Sequence, residues 1–371
     1  MRAMLKEYAP TADTFTPLRE AARLYADTHG FPDKKAEHWR YSAVRFAAGR
    51  NTPANSGGAA CVSRLPELPG AYLPLSLSET RPAHIRLDPV DGAHALHIAE
   101  SDNISCAHIT ASPDVPVSLT RGAEQRHHLY LHVAEDVRMT LIERILPGAD
   151  TAYRSGFSEI VLEKGAQLTH YVIAETGGCV RYDSARITQR AESIYHGFTC
   201  VTGDSGSLKR DVYTELTEEG TENRQYLIHA TGGDALVDHY LPVAHIAPRC
   251  KSLQHARYAV SDKATSVFYG RASAGKEAVG TEAHQLNKNI LLSKGAKVYS
   301  RPELDILTNE IICSHGSATG GVDENALYYM QARGIPRQQA QAMLTAAFLQ
   351  IDETAAPDAA IRDYVNALLQ E

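Results

Sequence analysis

The sequence predicts a mainly β protein, a solenoid of short strands carried between helical segments at its two ends. Three observations support this. A turn-then-strand phrase recurs through the middle of the chain, helix-period apolar stripes are confined to the ends, and a 43% hydrophobic content over 371 residues is ample for a core.

The phrase is irregular, a short strand entered from a corner that is mostly Gly or Ala. It occurs at Lys164-Gly165-Ala166-Gln167-Leu168, Arg190-Ala191-Glu192-Ser193-Ile194, Ser205-Gly206-Ser207-Leu208 and Gly233-Asp234-Ala235-Leu236-Val237. It returns at Arg249-Cys250-Lys251-Ser252-Leu253, Asp262-Lys263-Ala264-Thr265-Ser266-Val267 and Lys294-Gly295-Ala296-Lys297-Val298. Successive copies are separated by one or two multiples of roughly 14 to 15 residues, as expected of stacked rungs. A β-sandwich also spaces its strands regularly and is the alternative at this point. Further strands are expected at Ile85-Arg86-Leu87, Ala95-Leu96-His97-Ile98, Leu129 to Val133 and Met139 to Ile142.

Three regions follow from this pattern: an N-terminal helical region with linker (1–75), a solenoid core (76–315) and a C-terminal helical domain (316–371). Residues 16 to 30 predict a helix, with Thr16 as cap, Pro17 in the first turn and Gly30 at the end. The segment Gly30-Phe31-Pro32 through Trp39-Arg40-Tyr41 holds the single Trp and reads as a helix start anchored by a buried aromatic. A cluster of Gly, Pro, Asn and Ser between 49 and 70 is the best candidate linker.

The stretch Pro302 to Ile335 changes character twice. Leu304 and Ile306 alternate with Glu303 and Asp305 as on a strand, then Cys313 and His315 fall two residues apart, so an extended chain points both to one face. A thiolate and an imidazole are a soft donor pair suited to zinc, copper or iron, but two ligands need completion from elsewhere or from another chain. On spacing alone, a buried structural Cys with a hydrogen-bonded His is the simpler reading. Gly316, Gly320 and Gly321 are expected to break the strand. Asp323 then caps a helix that ends at Gly334. Pro336 opens a second helix with Ala340, Met343, Leu344, Ala347, Phe348 and Ile351 on its apolar face, and a third follows Pro357 with Ile361, Val365, Leu368 and Leu369. Such a helical hairpin has little core of its own, which makes its other face a candidate partner surface.

Composition narrows the function. The net charge of −7 argues against a general nucleic-acid or anionic-membrane binder. The six Cys are scattered, without a Cys-x-x-Cys pair, so neither a self-contained cluster motif nor a disulfide framework is expected. No run approaches a membrane span and the first residues lack an apolar signal core, which makes a reduced cytoplasmic protein the expectation. Gly270-Arg271-Ala272-Ser273-Ala274-Gly275-Lys276 has P-loop spacing, but Glu277 replaces the Mg²⁺-holding Ser or Thr, and the βα context is missing. His127-His128 on a strand point to opposite faces, and His94 and His97 share a face only on a helix, so both pairs read as structural. No catalytic triad or metalloprotease motif is present.

The run from Gly270-Arg271 through Asn287-Lys288-Asn289, Leu291-Leu292-Ser293, Pro302-Glu303-Leu304, Cys313-Ser314-His315-Gly316 and Tyr329-Met330-Gln331-Ala332-Arg333-Gly334-Ile335 resembles the SufB/SufD family. These are scaffold components of the SUF iron–sulfur cluster assembly machinery. The Cys-Ser-His-Gly form is similar to the SufD branch, as is the Gly-x-Pro, Lys, Glu, Trp-Arg-Tyr pattern around Trp39. The resemblance implies a right-handed parallel β-helix core and a non-catalytic role. It implies pairing with SufB through that core and binding of the ATPase SufC through the C-terminal helices, centred on Tyr328, Tyr329, Met330, Arg333 and Gly334. It further implies iron or a nascent cluster at Cys313 and His315, shared with SufB, with no cofactor held stably by this chain alone. A homodimer in isolation, and no nucleic-acid or membrane partner, complete the expectation. The reading from another class is a solenoid carbohydrate lyase or hydrolase capped by the same helices.

Overall fold

A computed structural model describes residues 15–50, 73–74, 91–100, 105–121, 126–148 and 153–369. The chain enters through α1 (Phe15–His29), a 3₁₀ turn (Glu37–Trp39) and α2 (Ala43–Arg50). Strand β1 (Leu73–Pro74) and helix α3 (Gly92–Glu100) precede the repeat. Sixteen further strands then alternate between two sheets. The even strands are β2 (Ser105–Ile109), β4 (Arg126–Val133), β6 (Tyr153–Leu162), β8 (Val180–Gln189), β10 (Ser207–Leu216), β12 (Leu236–His245), β14 (Thr265–Ala274) and β16 (Lys297–Ile306). The odd strands continue as β3 (Val117–Arg121), β5 (Arg138–Ile145), β7 (Gln167–Glu175), β9 (Ile194–Gly203), β11 (Glu222–Thr231), β13 (Lys251–Val260), β15 (Thr281–Leu291) and β17 (Ile311–Gly320). Each strand pairs in parallel with the strand two places on, so the chain winds through about 7 turns as a two-sheet parallel β-helix. Helices α4 (Glu324–Gln331), α5 (Arg337–Leu349) and α6 (Ala359–Leu368) follow.

The corners explain why this sequence coils. Asp136, Gly165, Glu192, Gly220, Arg249 and Gly280 occupy the same corner turn after turn, all with φ between 55° and 73°. That left-handed conformation aims the corner N–H along the solenoid axis. Asp136 N donates to Lys164 O, Gly165 N to Ala191 O, Glu192 N to Glu219 O and Arg249 N to Val279 O, each at 2.9 Å. Gly206, Gly233 and Asp262 take the same left-handed conformation at the opposite corner, with φ of 73°, 55° and 53°, and there the next residue donates back to the preceding turn, Asp234 N to Asp204 O and Lys263 N to Gly233 O. All but the last copy of the turn phrase therefore carries its left-handed residue, and every copy runs into a strand.

Between the sheets, Leu129, Leu131, Leu141, Ile160, Leu168, Ile187, Val212, Leu241, Ala256, Tyr258 and Phe268 form one continuous apolar column. Each sheet's outer face is also covered. Trp39, Ala43, Phe46 and Ala93 pack on Val180 and Tyr182 of the even sheet. Leu349, Ile351, Ile361, Val365 and Leu368 pack on Ile142, Tyr171, Ile173, Phe198 and Ile228 of the odd sheet. Both flanking regions bury part of their apolar surface against the solenoid, which short helices need for stability.

Several expectations need correction. Residues 95 to 98 are helical: Asp91 caps α3 by accepting from Ala93 N and His94 N through Oδ1, both at 2.9 Å. That cap outweighs the short alternation. Helix α1 begins at Phe15, so Thr16 and Pro17 lie inside its first turn. Gly316 does not break the strand, because the β15–β17 ladder pairs it with Leu286 and continues to Gly320. Pro336 is the cap residue of α5, and the stripe on that helix is only half buried: Ala340 and Ile351 are buried, whereas Met343 is 49% exposed. The strand expected at Ile85-Arg86-Leu87, and the linker beyond residue 50, lie outside the described residues, and residues 49 and 50 end α2.

Candidate functional site: an open thiol–imidazole edge

Cys313 and His315 sit on β17, the last strand of the odd sheet, which among the described residues has β15 on one side and no strand on the other. The register pairs Cys313 with Ala283 and His315 with Gln285, both buried residues of the inward-facing row. Ser314 points the opposite way, where His284 Nδ1 lies 2.8 Å from its hydroxyl. The thiol and the imidazole therefore share the face that would be the solenoid interior if another turn followed. None follows, so both side chains are exposed. The neighbouring row is correspondingly polar: Asn287 and Asn289 bond to each other, and Ser317 reaches Ser300 of β16 at 2.8 Å.

Exposure distinguishes Cys313 from its peers. Cys106, Cys179, Cys200 and Cys250 are buried, and burial pushes the Cys200 thiol up to about 12, which leaves it inert. Cys313 is the exposed cysteine among the described residues, so the buried structural role that spacing favoured does not apply. On an extended strand the two Cα atoms lie about 6.6 Å apart, a span two side chains can close around one ion. No third His, Cys, Asp or Glu donor gathers with them among the described residues. The arrangement offers half of a metal coordination sphere at an unpaired strand edge.

Of the other residues singled out, Tyr328, Tyr329 and Arg333 form an exposed group on and just beyond α4, with Met330 half-buried. Tyr328 is 75% and Tyr329 58% exposed, and the Arg333 guanidinium stacks 3.7 Å from the Tyr329 ring centre. Gly334 ends the turn after the helix with φ of 83°. Leu327 is the buried residue of α4, and α4 packs on α5, where Ala340 is buried. The P-loop-like run is strand β14 and the turn after it, with Arg271 paired to Glu303 and Asp305 on β16, so it is not a phosphate loop. His94 and His97 do share a helical face. They are buried with His128 around Phe157, and burial pushes His94 and His128 down to about 3.

Sequence reasoning passed over His38, Asp91 and Asp211, which the fold brings together from three distant segments. No spacing rule joins them. The one sequence-level signal was Lys209 with Asp211 on one strand face, a charged pair inside a repeat that is otherwise buried.

The fold is a two-sheet parallel β-helix whose last turn ends on a strand edge bearing an exposed thiol and imidazole. The SufBD core domain of the SUF system for FeS cluster assembly matches residues 117–348, and the chain belongs to that family. The iron–sulfur cluster assembly protein SufD of Escherichia coli K12 is 26% identical over 359 residues, covering 86% of this chain and 84% of its own length. An iron–sulfur cluster assembly SufBD family protein of Mycobacterium tuberculosis H37Rv is 26% identical over 373 residues, covering 94% and 91%. The chloroplastic protein ABCI7 of Arabidopsis thaliana is 30% identical over 193 residues, covering 51% of this chain and 40% of its own. No helix among the described residues is long and apolar enough to cross a membrane.

Proposed function

We propose that this chain is a non-catalytic scaffold subunit of a cytoplasmic iron–sulfur assembly complex, in which it pairs with a SufB-type subunit through the open end of its β-helix. The observation that carries this reading is the exposure of Cys313 and His315 on the unpaired strand β17. A donor pair on an edge is completed when a second chain brings further ligands to that edge. Iron or the nascent cluster is then cargo shared between two proteins. A shared, incomplete site also releases its cargo more readily than a closed four-ligand site. The exposed Tyr328, Tyr329 and Arg333 group supplies the surface for a SufC-type ATPase, whose nucleotide-driven motion would act on the pair. In isolation the same open edge favours a homodimer.

The test is co-expression of the chain with its SufB and SufC partners. The wild-type complex is compared with one carrying Cys313→Ser and His315→Ala. The expected outcome is an intact complex by size-exclusion chromatography with iron and acid-labile sulfide reduced several-fold. Unchanged iron and sulfide would remove these residues from the site, and failure of the wild-type chain to retain either partner would remove the scaffold reading.

A further inference from the structure

We infer that His38, Asp91 and Asp211 form a divalent transition-metal site that staples the N-terminal region onto the β-helix. It lies on the outer face of the even sheet, apart from the strand edge that bears Cys313. One donor atom from each of the three side chains lies within 4.8 Å of the other two. His38 comes from the 3₁₀ turn, Asp91 from the cap of α3 and Asp211 from β10. One imidazole and two carboxylates are the donor set of Zn²⁺, Fe²⁺ and Mn²⁺.

The surroundings are built as metal ligands usually are, each donor being held by a second group. Asp91 Oδ2 accepts from Trp39 Nε1 at 2.8 Å, while its Oδ1 is fixed by the two backbone amides of α3. Tyr182 donates to Asp211 Oδ2 at 3.3 Å. The His38 ring stacks on Tyr240 with centres 5.0 Å apart, and its Nε2 faces Asp91 Oδ2 at 3.1 Å.

Charge and unmet bonding point the same way. Three carboxylates, Asp91, Asp211 and Asp238, crowd one ammonium. Lys209 Nζ is 2.8 Å from Asp211 Oδ1, 3.6 Å from Asp238 Oδ1 and 2.6 Å from the His38 carbonyl oxygen, and it is fully buried. Asp238, 1% exposed, still has an Oδ2 with no hydrogen-bond partner, and the buried Tyr213 hydroxyl, two residues along the strand face from Asp211, has none either. A buried anionic cluster with unmet acceptors is costly unless a further cation joins it. The ion would take the place of the His38–Asp91 hydrogen bond, with the Nε2 proton moving to Nδ1 or to solvent.

Trp39 is the only tryptophan in the chain and touches Asp91, so it reports on this site directly. The test uses the tag-free 371-residue chain carrying Cys313→Ser and His315→Ala, stripped with chelator and titrated with Zn²⁺, Mn²⁺ and Co²⁺. Expected is saturable binding of one equivalent. Co²⁺ should quench Trp39 fluorescence in step with binding and give a visible spectrum without a thiolate charge-transfer band. His38→Gln keeps a hydrogen-bond donor toward Asp91 and should retain the circular dichroism spectrum while losing affinity by at least about tenfold. Absence of a bound equivalent, Trp39 emission indifferent to Co²⁺, or equal affinity in a folded His38→Gln chain would each overturn the site.

Discussion

At the scale of single residues, burial keeps six imidazoles neutral in this fold. Burial, reinforced by nearby cations at some positions, pushes His94, His128 and His229 down to about 3, and His127, His245 and His255 down to about 4. The unfolded chain protonates the same rings near the ordinary value of about 6.5. Their folded values are depressed, so between those limits the unfolded state binds more protons and stability falls as pH falls. Each ring contributes a slope of up to about 1.4 kcal/mol per pH unit. Urea unfolding midpoints should therefore drop steeply from pH 6.5 to pH 5 and change little between pH 7 and pH 8; a midpoint flat down to pH 5 would contradict this account. Glu143 runs the other way. Burial raises its carboxyl, but Arg121 and His170 hold it below the usual carboxylate range, so its pairing persists throughout that window.

At the scale of elements, corners and helices carry separate tests. Gly206 has φ of 73°, and a Cβ there would lie 1.4 Å from the Gly177 carbonyl oxygen of the adjoining corner. Gly206→Ala should cost at least about 1–3 kcal/mol, read as a lower urea midpoint. Tyr328→Asp with Tyr329→Asp should leave stability within about 0.5 kcal/mol, because both rings are exposed, while, on the proposed function, abolishing retention of a SufC-type ATPase in pull-down. Point changes are the right tool here. Deleting the C-terminal helices would uncover Tyr171, Phe198 and Ile228, which pack with the segment from Leu349 to Leu368, and so confound binding with unfolding. The corners at Gly165, Gly206 and Gly233 were legible in the sequence because Gly takes the left-handed conformation freely, whereas those at Asp136, Gly220 and Gly280 lay outside the recurring phrase. Helix α3 was not legible, since Ala95 to Ile98 satisfies both periods and only the Asp91 cap decides between them. The Cys313–His315 pairing on one face was legible from strand geometry. Its exposure was not, because it depends on where the coil stops winding. The His38 cluster was illegible because its members meet only after the N-terminal region docks.

At the scale of the whole molecule, the two ends of the β-helix axis are treated differently from its sides. The sides are sealed by Trp39 and its neighbours on one sheet and by α5 and α6 on the other. The final turn is left with β16 and β17 as outermost strands, their backbone groups unpaired on one flank. Because each turn is stapled chiefly to its neighbours, stability is distributed along a line, and an uncapped terminus is where opening begins. Deuterium uptake should therefore be graded: fastest at the amides of β17, slower at β15 and β13, slowest where β7, β9 and β11 lie under α6. Engagement of the open end by another chain should flatten that gradient by slowing β17 most. Uniform uptake along the coil, or a gradient untouched by partner, would show that the last turn is as tightly closed as the middle. If the proposed complex forms at this edge, the partner's docking is the event that would complete the last turn of the coil.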